Sequence, residues 1–294
     1  MIYDIRLVIE YDYARPAAEG RHLLHLAPMV LPGLQRVIRS QIKVVPKPVE
    51  RLDYTDFFGN SVVAVTLPAG HDAVTFEAIS RVERADLDLG LDLSSPLPAL
   101  RREIADVWDL GPLAPHHYLG PSPRIALAAE ISDYARAATA KGATVLDIVR
   151  TFGQTLYRDM RFDAKATTVD TPLLDAFRQR EGVCQDFAQV MIAGLRGLGI
   201  PAGYVSGFLR TIPPPGKARL EGADAMHAWV RAWCGADMGW VEYDPTNACA
   251  AGQDHVTVAL GRDYGDVAPV AGILRIAGGQ SSTQSVDMIP EGEI

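Results

Sequence analysis

One cysteine of this chain stands where a thiol could act as a nucleophile. Cys184 lies in the stretch EGVCQDF, at the point where a polar segment gives way to a periodic apolar pattern. Apolar residues then recur three or four positions apart, at Phe187, Val190, Met191 and Leu195. This spacing predicts a half-buried helix with Cys184 in its first turn. Unpaired N–H groups and the positive dipole end at that turn favour a thiolate, so Cys184 is the candidate nucleophile.

A nucleophilic thiol needs a base within hydrogen-bond reach and a group that orients the base. Two strand patterns downstream contain both residue types. His227 lies in AMHAWVRAW, and Asp244 ends the following stretch WVEYD, just before Pro245. We therefore predict that His227 is the base and that Asp244 orients it.

The hairpin that joins these strands must bring the two side chains together. If His227 stands directly opposite Asp244, Trp233 opposes Met238, and residues 234–237 form a four-residue loop. Hairpin loops of that length are common, and directly opposed side chains share one face of the sheet. The sequence therefore permits a histidine–aspartate pair in this register.

The elements that must hold these residues form an α+β pattern. Residues 1–95 alternate apolar and polar positions in several short strands, which predicts an antiparallel β-sandwich-like domain. Residues 96–123 are rich in proline and read as a linker with a short helix. Residues 124–294 begin with helical periodicity and continue as strands, so we assign them to one catalytic domain with helices packed on an antiparallel sheet.

Three motifs carry a resemblance to a known family. GVCQDFA, MHAWV and WVEYDPT resemble the transglutaminase-like superfamily of papain-type cysteine enzymes, and RTFGQTLYRDMRFD and GIPAGYVSGF extend the match. HLLHLAPM, VVPKP and DFFGNSV resemble the β-rich domain that precedes this core in bacterial members. The resemblance implies a papain-like core and a catalytic triad of Cys184 as nucleophile, His227 as general base and acid, and Asp244 as orienter.

Acyl transfer through a thioester is the chemistry that the resemblance implies. The oxyanion would be held by the backbone N–H of Cys184 and by a second donor, for which Gln185 and Tyr204 are the candidates. Trp229, Arg262 and Tyr264 are candidates for the lining of the substrate cleft. Asp186 is expected to point away from the buried stripe as a charge at the helix N-terminus.

The acceptor of the acyl group stays open at this stage. Water would make the chain a cysteine protease or amidase, whereas an amine would make it a protein-glutamine transglutaminase. A transglutaminase needs a dry, lysine-shaped tunnel that the sequence does not display, and many bacterial relatives look like proteases, so hydrolysis is favoured. A third alternative is a non-catalytic binding module with the same fold, which the intact set of three residues disfavours.

Composition and net charge limit the classes of substrate and partner that are expected. The chain has 294 residues and a net charge of −8 without a basic block, so a peptide or protein substrate is expected rather than nucleic acid or a membrane surface. The N-terminus lacks the pattern of a signal peptide, which predicts a cytoplasmic location. Three cysteines without a C-x-x-C pair predict neither a disulfide framework nor a metal site, and no cofactor is expected. The oligomeric state is left open.

Overall fold

The computed structural model describes residues 1–86, 90–212, 222 and 224–292. Its N-terminal part is built from β strands. The strands are β1 (Ile2–Ala17), β2 (Gly20–Leu24), β3 (Gln35–Val45), β4 (Glu50–Thr55), β5 (Ser61–Leu67) and β6 (His71–Arg84). The alternation in β1 places Tyr3, Ile5 and Leu7 in the core and the residues between them toward solvent. The predicted α+β class with an N-terminal β-rich region is confirmed.

Six α-helices lie in the described residues. They are α1 (Leu97–Ala105), α2 (Ala129–Ala137), α3 (Val145–Asp159), α4 (Leu173–Gln179), α5 (Cys184–Gly197) and α6 (Tyr264–Val267). A short parallel pair, β7 (Arg161–Phe162) and β8 (Glu181–Gly182), joins the segments before α4 and α5. The predicted linker contains α1, and its residues Leu100, Ile104 and Tyr118 are buried, so this segment packs into the molecule.

A five-stranded antiparallel sheet carries the residues of chemical interest. Its strands are β9 (Ala202–Leu209), β10 (Ala225–Trp233), β11 (Trp240–Asp244), β12 (Cys249–Ala250) and β13 (His255–Gly261), in the order β12-β11-β10-β9-β13. Buried side chains of α5 join Phe208, Ala228 and Val230 in one core. The opposite face forms a separate cluster that includes Val205, Trp229 and Leu260. The sheet is therefore covered on both faces.

The last two strands return to the N-terminal region. β14 (Val270–Leu274) pairs with β2, and β15 (Gln280–Pro290) pairs with β1. The two N-terminal sheets have the orders β15-β1-β6-β3 and β14-β2-β5-β4. The range 124–294, predicted as one catalytic domain, thus contributes its last two strands to the N-terminal sheets, because alternation identifies a strand but not its partner.

Two buried amide side chains join the N-terminal sheets to the five-stranded sheet. Gln35 exchanges hydrogen bonds with the backbone of Thr257, at 2.7 and 2.9 Å. Asn60 does the same with the backbone of Leu260, at 2.8 Å in both directions. Both contacts lie on β13, the edge strand, so the N-terminal region satisfies backbone groups that an exposed edge would leave unpaired.

None of the helices in the described ranges has the length and apolar composition that a bilayer-spanning helix needs.

The hairpin register differs from the prediction by two residues. Trp233 pairs with Trp240 and Val230 with Tyr243, so the connection runs from Cys234 to Gly239 instead of over four residues. Gly235 and Gly239 have positive φ values of 106° and 68°, which only glycine adopts at low cost. Because side chains alternate along a strand, a shift of two residues keeps His227 and Asp244 on the same face.

Candidate active site

Cys184 is the first residue of α5, as the apolar pattern predicts. Its side chain is half-buried, and Val183 before it has an extended backbone with φ −98° and ψ 175°. The first N–H groups of an α-helix have no partner within the helix, so the backbone N–H of Cys184 is placed to donate outward. The thiol therefore combines access from solvent with a nearby backbone donor.

Asp186 anchors this helix start from within. Its carboxylate accepts hydrogen bonds from the N–H of Val183 at 2.8 Å and from the hydroxyl of Thr167 at 2.5 Å. Burial raises the pKa of Asp186, although these bonds oppose the effect. The expectation that Asp186 points away from the buried stripe is wrong. It is a buried cap, and a Cβ at Gly182 would lie 2.5 Å from its carboxylate, so only glycine fits there.

His227 and Asp244 form a buried pair. Nε2 of His227 lies 2.7 Å from Oδ2 of Asp244, and the side chains are 7% and 0% exposed. The contact to Asp244 uses Nε2, so Nδ1 is the nitrogen left to face another group. Cys184 lies close enough to His227 for the negative charge of its thiolate to raise the pKa of His227. The structure thus pairs His227 directly with Asp244 and places Cys184 within electrostatic range of His227.

Electrostatics favour a charged pair at this site. Burial works against the imidazolium form of His227, but the hydrogen bond to Asp244 and the negative charges of Cys184 and Asp244 outweigh it and raise its pKa to about 10. Burial likewise opposes the carboxylate form of Asp244, yet hydrogen bonds from His227, His255 and Asn247 hold its pKa well below the usual range. At neutral pH the pair is therefore an imidazolium beside a carboxylate.

Asp244 has more partners than the sequence indicated. Nε2 of His255 lies 3.2 Å from Oδ2, and the side-chain amide of Asn247 donates to the same oxygen at 2.7 Å. The backbone N–H groups of Thr246 and Asn247 donate to Oδ1 at 2.8 and 3.2 Å. Sequence reasoning missed His255 and Asn247. The turn that Pro245 predicts could have indicated that Asn247 lies close to Asp244. His255 is eleven residues from Asp244 in sequence, and no local pattern links the two.

The two candidates for the second oxyanion donor are in different situations. The side-chain amide of Gln185 donates to the carbonyl of Val169 at 3.3 Å, so it is engaged elsewhere. Burial raises the pKa of Tyr204 far above its ordinary value, and the negative charge of nearby Cys184 adds to the effect. The hydroxyl of Tyr204 therefore keeps its proton and lies in the electrostatic range of the thiol, which favours Tyr204 over Gln185.

The three candidates for the lining of the substrate cleft also differ in their surroundings. Trp229 is fully buried and its indole N–H donates to Glu242 at 2.8 Å, so the prediction that it lines an open cleft is wrong. The guanidinium of Arg262 is held by Asp266 at 2.8 and 2.9 Å. Tyr264 packs edge-on against Tyr204, with ring centroids 6.2 Å apart, so it lies beside the favoured oxyanion donor.

Comparisons with known proteins agree with this geometry. The profile of the bacterial transglutaminase-like N-terminal region matches residues 3–83, and that of the transglutaminase-like superfamily matches residues 132–245. An uncharacterized protein of Mycobacterium tuberculosis is 34% identical over 88% of this chain and 84% of its own length. One of Mycobacterium leprae is 32% identical over 90% and 89%. A protein-glutamine gamma-glutamyltransferase of Pseudomonas aeruginosa is 38% identical over 71 residues, which are 24% of this chain and 10% of that protein.

A solved structure shares the whole fold. A protein of Cytophaga hutchinsonii, with a provisional cysteine-protease assignment, superposes with a TM-score of 0.75 and 22% identity, over 98% of this chain and 90% of that one. The N-terminal sandwich and the core that carries Cys184 thus recur together. The two matched profiles, the mycobacterial relatives and this fold lead to one conclusion: the chain belongs to the transglutaminase-like superfamily.

Proposed function

We propose that this protein is a cysteine-dependent acyl-transfer enzyme that cleaves amide bonds through a thioester. The observation that carries the proposal is the buried hydrogen bond between His227 and Asp244, with Cys184 at the start of α5 near enough to raise the pKa of His227. A non-catalytic binding module would not need a buried carboxylate to keep a histidine charged beside a half-exposed thiol. The same array is what a nucleophile, a base and an orienting group require.

The first half of the reaction follows from these positions. The thiolate of Cys184 attacks the carbonyl carbon of the substrate amide and forms a tetrahedral intermediate. The backbone N–H of Cys184 and the hydroxyl of Tyr204 donate hydrogen bonds to its oxyanion. The imidazolium of His227 then gives its proton to the leaving nitrogen. The C–N bond breaks, the amine departs and the acyl group stays on the sulfur as a thioester.

In the second half His227, now neutral, acts as the general base. It takes a proton from the acceptor, the acceptor attacks the thioester carbon, and the sulfur leaves as a thiolate. We favour water as the acceptor, because the thiol is half-exposed and water can reach the thioester. The products are then a carboxylic acid and an amine, the outcome of a peptidase or amidase.

Transfer to an amine is the second candidate. The observation that favours it is the 71-residue match to a protein-glutamine gamma-glutamyltransferase. The two functions share every step up to the thioester and differ only in the acceptor.

A substrate library with an optional amine tests the proposal. The protein is incubated with glutamine-containing peptides, with and without a labelled primary amine, and the products are identified by mass spectrometry. Cleavage or deamidation that does not depend on the amine supports hydrolysis, whereas incorporation of the label supports transfer. The Cys184→Ala variant is the matched control. Turnover that survives in this variant would remove Cys184 as the nucleophile and contradict the proposal.

A further inference from the structure

Two histidines share one oxygen of Asp244. Nε2 of His227 lies 2.7 Å from Oδ2, and Nε2 of His255 lies 3.2 Å from the same atom. His255 is 5% exposed and packs edge-on against Trp229, with ring centroids 5.2 Å apart. His255 is therefore held away from solvent beside the carboxylate, with its ring centroid 6.3 Å from that of His227.

The tautomer of His255 follows from its second nitrogen. The backbone N–H of Gly252 donates to Nδ1 of His255 at 3.3 Å. A ring nitrogen that accepts a hydrogen bond carries no proton, so in the neutral ring the proton is on Nε2. His255 is therefore a donor to Asp244.

The tautomer of His255 also bears on whether His227, Asp244 and His255 could together bind a metal ion. The ligating atoms of His227, Asp244 and His255 all lie within 4.8 Å of one another, close enough to hold a metal ion. A histidine nitrogen that binds a metal must be free of its proton. Because the contact from Gly252 keeps the proton on Nε2 of His255, the observed arrangement is that of a hydrogen-bond donor and not of a metal ligand.

We propose that His255 is a positioning residue that takes up part of the charge on Asp244 and so adjusts how firmly His227 holds its proton. The inference rests on the proposed function, in which His227 must both accept a proton and release it to the leaving amine. Oδ2 of Asp244 also accepts a hydrogen bond from the side-chain amide of Asn247 at 2.7 Å, so the N–H of His255 is a further donor on an oxygen already shared by His227 and Asn247. Each added N–H on this oxygen disperses charge that would otherwise act on the imidazolium, and it helps to fix the carboxylate in one orientation.

The other ionisable groups near Asp244 do not compete for this role. Cys249 lies opposite Asp244 on β12. Burial and the charge of Asp244 raise the pKa of Cys249 to about 11 and that of Tyr243 to about 12, so both are neutral at pH 7.

The remaining carboxylates around the cluster have partners of their own. Glu242 accepts from the indole of Trp229, and Asp254 accepts from the hydroxyl of Tyr3. The groups that act on the charge of His227 are therefore Asp244 and Cys184, with His255 as a donor to the carboxylate.

Two substitutions test whether His255 acts as a hydrogen-bond donor or only fills space in the core. His255→Gln keeps an N–H that can reach Oδ2 of Asp244, whereas His255→Leu removes it. The alkylation rate of Cys184 by iodoacetamide is measured on its own peptide from pH 5 to pH 11. In such a profile the alkaline inflection reports the loss of the proton from His227. For both variants kcat and KM are measured on a peptide that the wild-type protein cleaves.

We expect the alkaline inflection of His255→Leu to move to higher pH by about 0.5 unit or more, because Asp244 then holds the imidazolium more firmly. We also expect kcat to fall about tenfold, with KM within about twofold of the wild type, which is the pattern for an interaction that acts in the transition state. His255→Gln should stay within about threefold of the wild type. If His255→Leu has a lowered melting temperature, His255→Asn takes its place, because its shorter amide cannot reach Asp244.

A non-donor variant with the wild-type inflection and kcat would overturn the inference, and so would a His255→Gln variant that is impaired as much as His255→Leu. Failure of the proposed function gives a different result. The wild-type protein would then show no preferential alkylation of Cys184 and no inflection from His227, and both proposals would fall together.

Discussion

The molecule buries histidines in two regions, and the environments of His22 and His71 in one differ from that of His227 in the other. In the N-terminal sandwich, Nε2 of His22 and Nε2 of His71 are buried without a hydrogen-bond partner among the described residues. Burial, with a contribution from His71, lowers the pKa of His22. In the five-stranded sheet, His227 is buried as well, but Asp244 and Cys184 raise its pKa to about 10.

The difference shows what burial alone does to a histidine. Removal from water disfavours the imidazolium, so an isolated buried ring becomes a neutral part of the core. The same ring stays charged when it touches a carboxylate that is itself supported by several donors. The residue type is therefore a weak indicator of function, whereas the saturated hydrogen-bonding of Asp244 is a strong one.

Removal of the carboxylate charge should give the largest effect. In Asp244→Asn the side chain keeps its shape but no longer stabilises the imidazolium, so we expect turnover to fall by about 10⁴-fold. The free energy of unfolding should fall by about 3 kcal/mol, because a buried charge pair loses one member. Steady-state kinetics and urea unfolding measure the two effects. Near-normal turnover would mean that His227 does not depend on Asp244.

Removal of the proposed oxyanion donor should have the next largest effect. Tyr204→Phe keeps the ring and its contact with Tyr264 but deletes the hydroxyl. We expect kcat to fall by about 10²-fold with little change in KM or in melting temperature. Gln185→Leu, which removes the amide already bound to Val169, is the matched comparison. A larger loss of kcat in Gln185→Leu than in Tyr204→Phe would reverse the assignment of the donor.

The pH dependence of stability should separate the two histidine regions. The folded-state pKa of His227 lies above the ordinary value of ~6.5, so its contribution is fully present below pH 6.5 and is lost as the pH rises toward 10. We expect this contribution to weaken by roughly 2 kcal/mol between pH 6.5 and 9. Urea unfolding of the wild type and of His227→Gln measures it. Parallel pH curves for the two proteins would contradict the raised pKa.

His22 should act with the opposite sign and the smallest effect. Its pKa is lowered in the folded state, so the unfolded chain binds the proton more readily, and stability is lost as the pH falls below ~6.5. The variant His22→Gln stays neutral and should lose less stability between pH 7 and pH 5 than the wild type. Thermal unfolding at both pH values tests this. An equal loss in the two proteins would show that His22 is not the buried group that titrates.

Much of the candidate site could be predicted because its signals are local. The apolar stripe after Cys184 and the alternation around His227 and Asp244 identify their elements without knowledge of the fold. The two-residue error in the hairpin arose because Gly235 and Gly239 allow a longer connection. The error leaves His227 and Asp244 on the same face of the sheet, since a shift of two residues does not change the face to which a side chain points.

The rest depends on contacts that are distant in sequence. His255 reaches Asp244 only because β13 pairs with β9, two strands away from β11. Trp229 is buried because the face of the sheet on which it lies is covered by residues that include Met29 and Leu31. The strands β14 and β15 pair with strands near the other end of the chain. The periodicity of apolar residues in the sequence cannot identify any of these contact partners.

The central claim is that His227 and Asp244 activate the thiol of Cys184, and differential alkylation tests it most directly. The protein is treated with limiting iodoacetamide near pH 7, and the labelled peptides are quantified by mass spectrometry. Burial raises the pKa of Cys234 to about 12 and that of Cys249 to about 11, so these thiols stay protonated at that pH. We predict that Cys184 is labelled well before both and that His227→Gln abolishes the preference. Equal labelling of the three cysteines, or a preference that survives in His227→Gln, would contradict the account.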